Sequence, residues 1–210
     1  MTKAKARVTL LALLLPLLLN ATHILRDDLL KPQVSKIVED ISTELSDKTG
    51  INIYTIATNE RFAPRANLVE YSKKYDNNIS KPSVIFIFAP NAKVIEDSEQ
   101  RGRVALIASA KEISAMYDKA NVLDAVLGVV ATKDKNSDED KYNVGIVQGV
   151  SELADEIAAS KGMKLTKTIP NETNKFIGYV KIPVYLGSLF VFWIFVFRPL
   201  LMRIKNGKRD

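Results

Sequence analysis

Residues 83–89, SVIFIFA, are apolar at almost every position and decide the fold class. An apolar run of this length, without polar alternation, is typical of a central strand that is covered on both faces. Residues 103–109, RVALIAS, predict a neighbouring strand, and residues 51–58, INIYTIAT, predict another strand rich in β-branched side chains. The sequence therefore predicts a buried sheet near the centre of the chain.

Helices are predicted before, between and after these strands along the chain. Apolar residues within residues 31–48 recur at steps of three and four, which indicates an amphipathic helix. Pro32 suits the first turn of this helix, and Gly50 suits its end. Because helices alternate with strands along the chain, we expect one α/β domain over residues 26–160. Further helical patterns cover residues 64–75, 110–131 and 142–160.

The order and spacing of these segments resemble the TPM domain family from residue 27 to residue 160. The similar pieces are DKTGINIYTIAT, KPSVIFIFAPNAKV, GRVALIAS and DKYNVGIVQGVSELADEI. The resemblance implies a three-layer α/β/α sandwich with a mixed sheet. A leading signal segment and a trailing transmembrane helix are also similar to those of many family members.

The resemblance also implies a function at membrane protein complexes. Family members act in photosystem repair in thylakoids and in receptor modulation in nematodes. We therefore expect an accessory, assembly, repair or regulatory factor for a membrane protein complex. Some plant members are described as acid phosphatases, so a weak metal-dependent phosphatase is the alternative. The charged loop NAKVIEDSEQRGR departs from the family pattern, and we predict no catalytic residue.

Residues 1–21 are predicted to be a signal peptide or an uncleaved signal anchor. Lys3, Lys5 and Arg7 precede the uncharged run of residues 8–19. As a helix, that run spans about 18 Å, which is shorter than the roughly 30 Å core of a bilayer. This layout is typical of a secretory signal, with a plausible cut after Ala21. Cleaved or not, it directs the following domain across the membrane.

A second membrane segment is predicted at residues 176–199. Its residues 182–197, IPVYLGSLFVFWIFVF, carry no charge. The basic tail of residues 200–210 follows, and the positive-inside rule places this tail in the cytoplasm. We therefore expect a single-pass protein of the bacterial inner membrane, with its domain in the periplasm. Residues 161–175 form a polar linker between the domain and this membrane segment.

The net charge of +6 is concentrated in the predicted membrane segments. Residues 1–25 carry three basic side chains, and residues 175–210 carry seven basic side chains and one acidic one. Residues 26–174 hold 20 basic and 23 acidic side chains. A nucleic-acid footprint requires basic charge on the domain itself, so we expect the bilayer and a membrane complex as partners and no nucleic acid.

The residue types present exclude several classes of site. The chain has no cysteine and one histidine, His23. Disulfides, thiolate zinc sites and cysteine nucleophiles are therefore excluded, as are almost all sites built on several histidines. Gly145 and Gly149 form a G-x-x-x-G pattern on a soluble amphipathic helix, where close packing on the sheet is expected rather than dimerisation in lipid.

One acidic stretch has the ligand types of a cation site. Asp134, Asn136, Asp138 and Asp140 alternate in the polar loop of residues 133–141, and hard oxygen ligands at this spacing suit calcium. The loop lacks the glycine and the final glutamate of an EF-hand. A solvated acidic turn and a weak divalent-cation site are therefore both open alternatives.

One modification site is predicted before the central strand. Asn78 lies in the sequence DNNIS, an Asn-x-Ser acceptor with an acidic residue two positions before the asparagine. This extended pattern resembles the acceptor used by certain bacterial oligosaccharyl transferases. Because the surrounding residues predict a surface turn, a glycan would be tolerated there.

Overall fold

The computed structural model of the protein describes residues 22–96, 100–170 and 188–199. Its sheet contains the strands β1 (Ile24–Asp27), β2 (Asn52–Ala57), β3 (Ser83–Lys93) and β4 (Arg101–Ala108), in the order β1-β2-β3-β4. The strands β1, β2 and β3 are parallel, and β4 is antiparallel to β3. The expected α/β fold with a mixed sheet is confirmed.

The sequence pattern does not predict β1. Its residues, ILRD, are few and end in two charged side chains, so they carry no strand signal of their own. Pairing with β2 defines the strand instead: Thr55 N donates to His23 O at 2.7 Å, and Ile24 pairs with Thr55. The domain therefore begins before residue 26, where the sequence analysis placed its start.

The helix α1 (Pro32–Thr49) confirms the amphipathic pattern of residues 31–48. Pro32 lies in its first turn, where a missing backbone N–H costs little. Gly50 ends the helix with φ 72°, and its N–H donates to Ser46 O at 2.8 Å. This left-handed conformation is one that glycine adopts without steric cost.

The second predicted helix is shorter than its sequence pattern indicates. The helix α2 (Leu68–Ser72) is followed by a 3₁₀ helix (Lys73–Asn78), whereas the pattern covers residues 64–75. Arg65 has φ 58°, which interrupts a right-handed helix. Asn67 then starts α2, because its side chain accepts hydrogen bonds from the backbone N–H groups of Val69 and Glu70.

The helical pattern of residues 110–131 corresponds to two helices, α3 (Lys111–Ser114) and α4 (Lys119–Val130). Asp118 separates them: its carboxylate accepts a hydrogen bond from Ala120 N at 2.8 Å and caps the second helix. A sequence pattern alone does not show this break, because apolar residues continue on both sides of it.

The last helix, α5 (Asp138–Ser160), starts before the predicted residue 142. Ser137 caps it, since the Ser137 hydroxyl accepts a hydrogen bond from Asp140 N at 3.1 Å. Three acidic side chains then occupy its first turn, where the positive end of the helix dipole stabilises negative charge. The predicted loop of residues 133–141 therefore ends at Ser137.

One face of the sheet is covered by α1, α4 and α5. The largest core cluster lies there and includes Ile41, Phe86 and Leu153. A Cβ atom at Gly149 would lie 2.8 Å from Cε2 of Phe86, and one at Gly145 would lie 2.8 Å from Cγ2 of Val130. The expected close packing on the sheet is confirmed for Gly149, whereas Gly145 packs against α4 instead.

The other face is covered by α2 and the 3₁₀ helix. Its cluster is smaller, with Tyr54, Leu68 and Ile87 among its buried members. Phe62 and Tyr71 pack at its margin with ring centroids 4.7 Å apart. The sheet thus has helical layers on both faces, as a sandwich requires, but the two layers are unequal.

The described part of the predicted linker, residues 161–170, contacts the domain. Leu165 is buried in the main core. Glu44 of α1 accepts hydrogen bonds from Thr166 N at 3.0 Å and Lys167 N at 2.8 Å, and it pairs with Lys48. Burial raises the pKa of the Glu44 carboxyl, but these hydrogen bonds outweigh burial and lower it to about 2.

The predicted membrane segments fall largely outside the described residues. This holds for residues 1–21, 176–187 and 200–210. Residues 188–199 are helical, and their large apolar side chains, among them Phe190 and Trp193, are exposed. Among the described residues, no helix has both the length and the apolar character needed to cross a membrane.

Candidate functional site

An open cavity of about 430 Å³ lies between the β3–β4 hairpin and the helices α4 and α5. Phe88 and Val104 line it from the sheet, Leu123 and Leu127 from α4, and Tyr142 from α5. The rings of Phe88 and Tyr142 have centroids 5.5 Å apart. A mostly apolar cavity of this size is typical of a site that receives a side chain or a small ligand.

Two charged residues, Arg101 and Arg103, border this cavity where β4 begins. Arg103 Nη1 donates a hydrogen bond to Ala66 O at 2.5 Å, so its guanidinium is held beside the segment that leads into α2. Leu127 is 51% exposed at the same cavity. The Arg103 guanidinium is therefore directed to the face of the sheet that α2 covers, and the cavity on the other face suits an apolar group.

A polar cluster lies at the carboxyl ends of β1 and β2. Arg26 Nε donates to Asp28 Oδ2 at 2.8 Å, and Arg26 Nη1 donates to Glu60 Oε2 at 2.6 Å and to the Tyr71 hydroxyl at 2.7 Å. Burial raises the pKa of the Asp28 carboxyl, but hydrogen bonds from Arg26, Asn59 and Thr58 hold that pKa below its ordinary value. These charged groups pair with one another, and the hydrogen bond from Arg26 to Tyr71 links β1 to α2.

Asp134 and Asp140, two residues of the predicted cation site, bond to different partners. Asp134 accepts from Asn136 N at 3.0 Å and pairs with Lys141 Nζ at 3.1 Å. Asp140 accepts from Lys31 Nζ at 2.6 Å and from the Ser137 hydroxyl at 2.7 Å. These hydrogen bonds lower the pKa of both carboxyls.

Asp138 belongs to the first turn of α5 rather than to a loop. Because Ser137 starts that helix, the alternation seen in the sequence does not make Asp134, Asp138 and Asp140 converge. Across the described ranges, no group of three or more histidine or acidic side chains is placed to hold a metal ion. Calcium binding by Asp134, Asn136, Asp138 and Asp140 therefore has no preformed ligand set here.

Asn78 is the last residue of the 3₁₀ helix and is exposed. Ile79, which follows it, is extended with φ −118° and ψ 137°, and Ser80 N donates to the Tyr54 hydroxyl at 2.9 Å. The acceptor sequence thus lies on the surface, as expected. Glycosylation of Asn78 stays a prediction.

His23 is buried, although its sequence position beside the predicted signal gave no sign of this. Its Nδ1 lies 2.9 Å from Glu39 Oε1, and its ring stacks on Tyr54 with centroids 5.6 Å apart. Glu39 also accepts from His23 N. The histidine therefore fastens the start of β1 to α1.

The cavity is the feature that sequence reasoning missed. Its walls come from strands and helices separated by up to about 50 residues, and each of its apolar residues belongs to an ordinary core pattern. One signal was available: Leu123 and Leu127 lie four residues apart on α4, outside the buried set of Val122, Ala125 and Val126.

Comparison with known proteins adds a distant structural similarity. No family model and no curated protein matches the sequence. A structural similarity is found to the NMR structure of the BA42 protein from the psychrophilic bacterium Bizionia argentinensis, with a TM-score of 0.41 and 13% identity. The match covers 68% of this chain and 95% of that one.

Proposed function

We propose that the protein is a TPM-like accessory module for a membrane protein complex, anchored in the bacterial inner membrane with its domain in the periplasm. In this role it acts in assembly, repair or regulation by binding a partner. The observation that carries the proposal is the open cavity beside Leu127, whose mostly apolar lining suits a docked side chain rather than a reacting group.

Attachment close to the bilayer supports this role. The sequence from residue 176 to residue 199 is the predicted anchor, and residues 188–199 expose large apolar side chains. Glu44 binds the backbone of Thr166 and Lys167, so the described domain extends towards that anchor. Six residue steps, from residue 170 to residue 176, span at most about 21 Å. A partner of the domain should therefore lie at the membrane surface.

The test is a photocrosslinker placed at Leu127 of the full chain in membranes of the native host. We expect an adduct with a membrane protein, identified by mass spectrometry. The matched control is the same crosslinker at Lys36 of α1, whose side chain is 74% exposed and lies outside the cavity lining. The proposal fails if both positions give the same adducts, or if Leu127 gives none.

A second measurement separates binding from catalysis. The full chain should not hydrolyse a generic phosphomonoester, with or without calcium. Turnover that is lost in Asp138→Ala would instead favour the phosphatase alternative. Turnover that survives Asp138→Ala would come from other residues and would equally contradict a purely binding role.

A further inference from the structure

Among the described residues, the first that the fold buries is His23, which is 7% exposed. Its backbone is bonded on both sides: the N–H donates to the carboxylate of Glu39, and the C=O accepts from Thr55 N at 2.7 Å. Thr22, immediately before it, is exposed. The fold therefore begins one residue after the bond between Ala21 and Thr22, where the sequence predicts the cut of a signal peptide.

This boundary limits when that bond can be cut. Proteins that act on a peptide commonly bind it as an extended segment through its backbone groups. In the folded domain the backbone N–H and C=O of His23 are already occupied, so the segment that follows the bond cannot enter such a site. A cut after Ala21 must therefore come before β1 packs on β2 and α1. A cut beyond His23 would remove a buried part of the fold.

Glu39 of α1 receives the start of the chain. Its Oε1 and Oε2 lie 3.1 and 3.0 Å from His23 N, and Oε1 also lies 2.9 Å from His23 Nδ1. The side chain of Glu39 is 31% exposed. Within the described ranges, no lysine or arginine pairs with it, and Lys36 on the same helix pairs with Asp40 instead. Glu39 is thus a partly buried carboxylate that a further positive charge would stabilise.

Cleavage creates such a charge next to this carboxylate. Hydrolysis adds the hydroxyl group of water to the Ala21 carbonyl carbon and a hydrogen to Thr22 N. The new carboxyl group releases a proton, and the new α-amine takes one up near neutral pH. Consecutive backbone nitrogens are at most about 3.7 Å apart, so Thr22 N lies within about 7 Å of Glu39 Oε2. The Thr22 hydroxyl, which accepts from Ile24 N at 3.3 Å, holds this residue against the domain.

We propose that the signal is cut after Ala21 before β1 packs on the domain, and that the new amino terminus at Thr22 then pairs with Glu39. The ammonium group, the His23 N–H and the His23 ring meet at one carboxylate, so processing stabilises the start of β1. In an uncut chain the same nitrogen belongs to a neutral amide. The inference goes beyond the proposed function, because it concerns the maturation of the chain rather than its partner.

The ion pair is tested on the processed chain, residues 22–210, kept in detergent. Enzymatic acetylation of the Thr22 amine removes its charge. It should lower the equilibrium constant of folding about three- to five-fold, measured by urea unfolding. In Glu39→Gln, which can still accept from His23 N, acetylation should have no effect. Equal effects in the two backgrounds, including none in either, would overturn the ion pair.

A second chain keeps this test independent of whether Glu39→Gln folds. A Gly-Ser dipeptide added before Thr22 moves the amine away from Glu39 by up to about 7 Å and leaves every described side chain unchanged. Acetylation of this extended chain should not change its folding equilibrium. An effect as large as that on the chain beginning at Thr22 would contradict the pairing.

The order of cutting and folding is tested with purified signal peptidase on the folded, uncut full chain. The control has ten glycine and serine residues inserted between Thr22 and His23, so that the bond after Ala21 is separated from the fold. We expect the control to be cut at least about ten-fold faster, because cutting of the uncut chain requires local unfolding. Equal rates would overturn the order, and absence of cutting after Ala21 in both would overturn the whole proposal.

Discussion

The two faces of the sheet are covered by helices of very different length. On one face, α1 and α5 have 18 and 23 residues, and Gly149 allows α5 to approach Phe86 of the sheet closely. On the other face, α2 has five residues and continues only as a 3₁₀ helix. Stability should therefore depend mainly on the face covered by α1 and α5, which leaves the face covered by α2 more tolerant of change.

A matched pair of leucine substitutions would test this comparison most strongly. Leu153 on α5 is fully buried, and Leu68 on α2 is 4% exposed. We expect Leu153→Ala to lower the free energy of unfolding by about 4 kcal/mol, and Leu68→Ala by about 2 kcal/mol, since a short helix moves more easily into the space left behind. Urea unfolding followed by far-ultraviolet circular dichroism measures both. Equal losses would show that the two faces contribute alike.

Two glycines, Gly149 of α5 and Gly128 of α4, sharpen the same comparison. A methyl group at Gly149 would meet the Phe86 ring and Val126, whereas one at Gly128 of α4 would meet nothing within 4 Å. We expect Gly149→Ala to destabilise the domain by about 3 kcal/mol through overpacking. Gly128→Ala should stabilise it by up to about 1 kcal/mol, because alanine favours a helix.

Thermal unfolding of the two glycine variants, compared with the unsubstituted chain, checks this prediction. The helical propensity gain is the same at both positions, so the difference between the variants reports the contact with the sheet. A stabilising Gly149→Ala would mean that α5 packs on the sheet less closely than described.

The hydrogen bonds from Thr166 and Lys167 to Glu44 make the free energy of unfolding depend on pH in the acid range. The folded-state pKa of Glu44, about 2, lies below the ordinary 4.5, so its contribution is present above pH 4.5 and is lost as the pH falls towards 2. We expect a loss of about 2 kcal/mol over this interval, after allowance for solvent screening. The free energy of unfolding of Glu44→Gln should lack this part of the pH dependence.

A control keeps the Glu44 effect separate from general acid sensitivity. Glu112→Gln changes an exposed carboxyl on α3 and should leave the pH profile unchanged. If Glu44→Gln and the unsubstituted chain lose stability in parallel between pH 5 and pH 2, Glu44 does not hydrogen-bond to residues 166 and 167 in solution.

The smallest effect is expected at the margin of the second face. Tyr71→Phe removes the hydroxyl that accepts from Arg26 and donates to Glu60 Oε2 at 3.1 Å. Because these groups are only partly buried, we expect a loss of about 1 kcal/mol. Urea unfolding measures it, and a loss as large as that of Leu153→Ala would contradict the ranking of the two faces.

Particular residues show how far sequence reasoning reached. The apolar run at residues 83–89 identified β3 correctly, and Pro32 and Gly50 marked both ends of α1. The strand β1 escaped prediction because its pairing, not its composition, makes it a strand. The spacing of residues 134–140 does not reveal that Ser137 starts a helix among them. Calcium binding by these residues stays a prediction.

Hydrophobic pattern and local capping signals determined the fold class of this protein, since they act between residues close together in the chain. Tertiary structure alone decided the unequal size of the helical layers on the two faces of the sheet, the burial of His23 against Glu39, and the hydrogen bond from Thr166 N to Glu44. It also decided the cavity, because the lining side chains are distant in sequence and meet only when the sheet and its helices pack together.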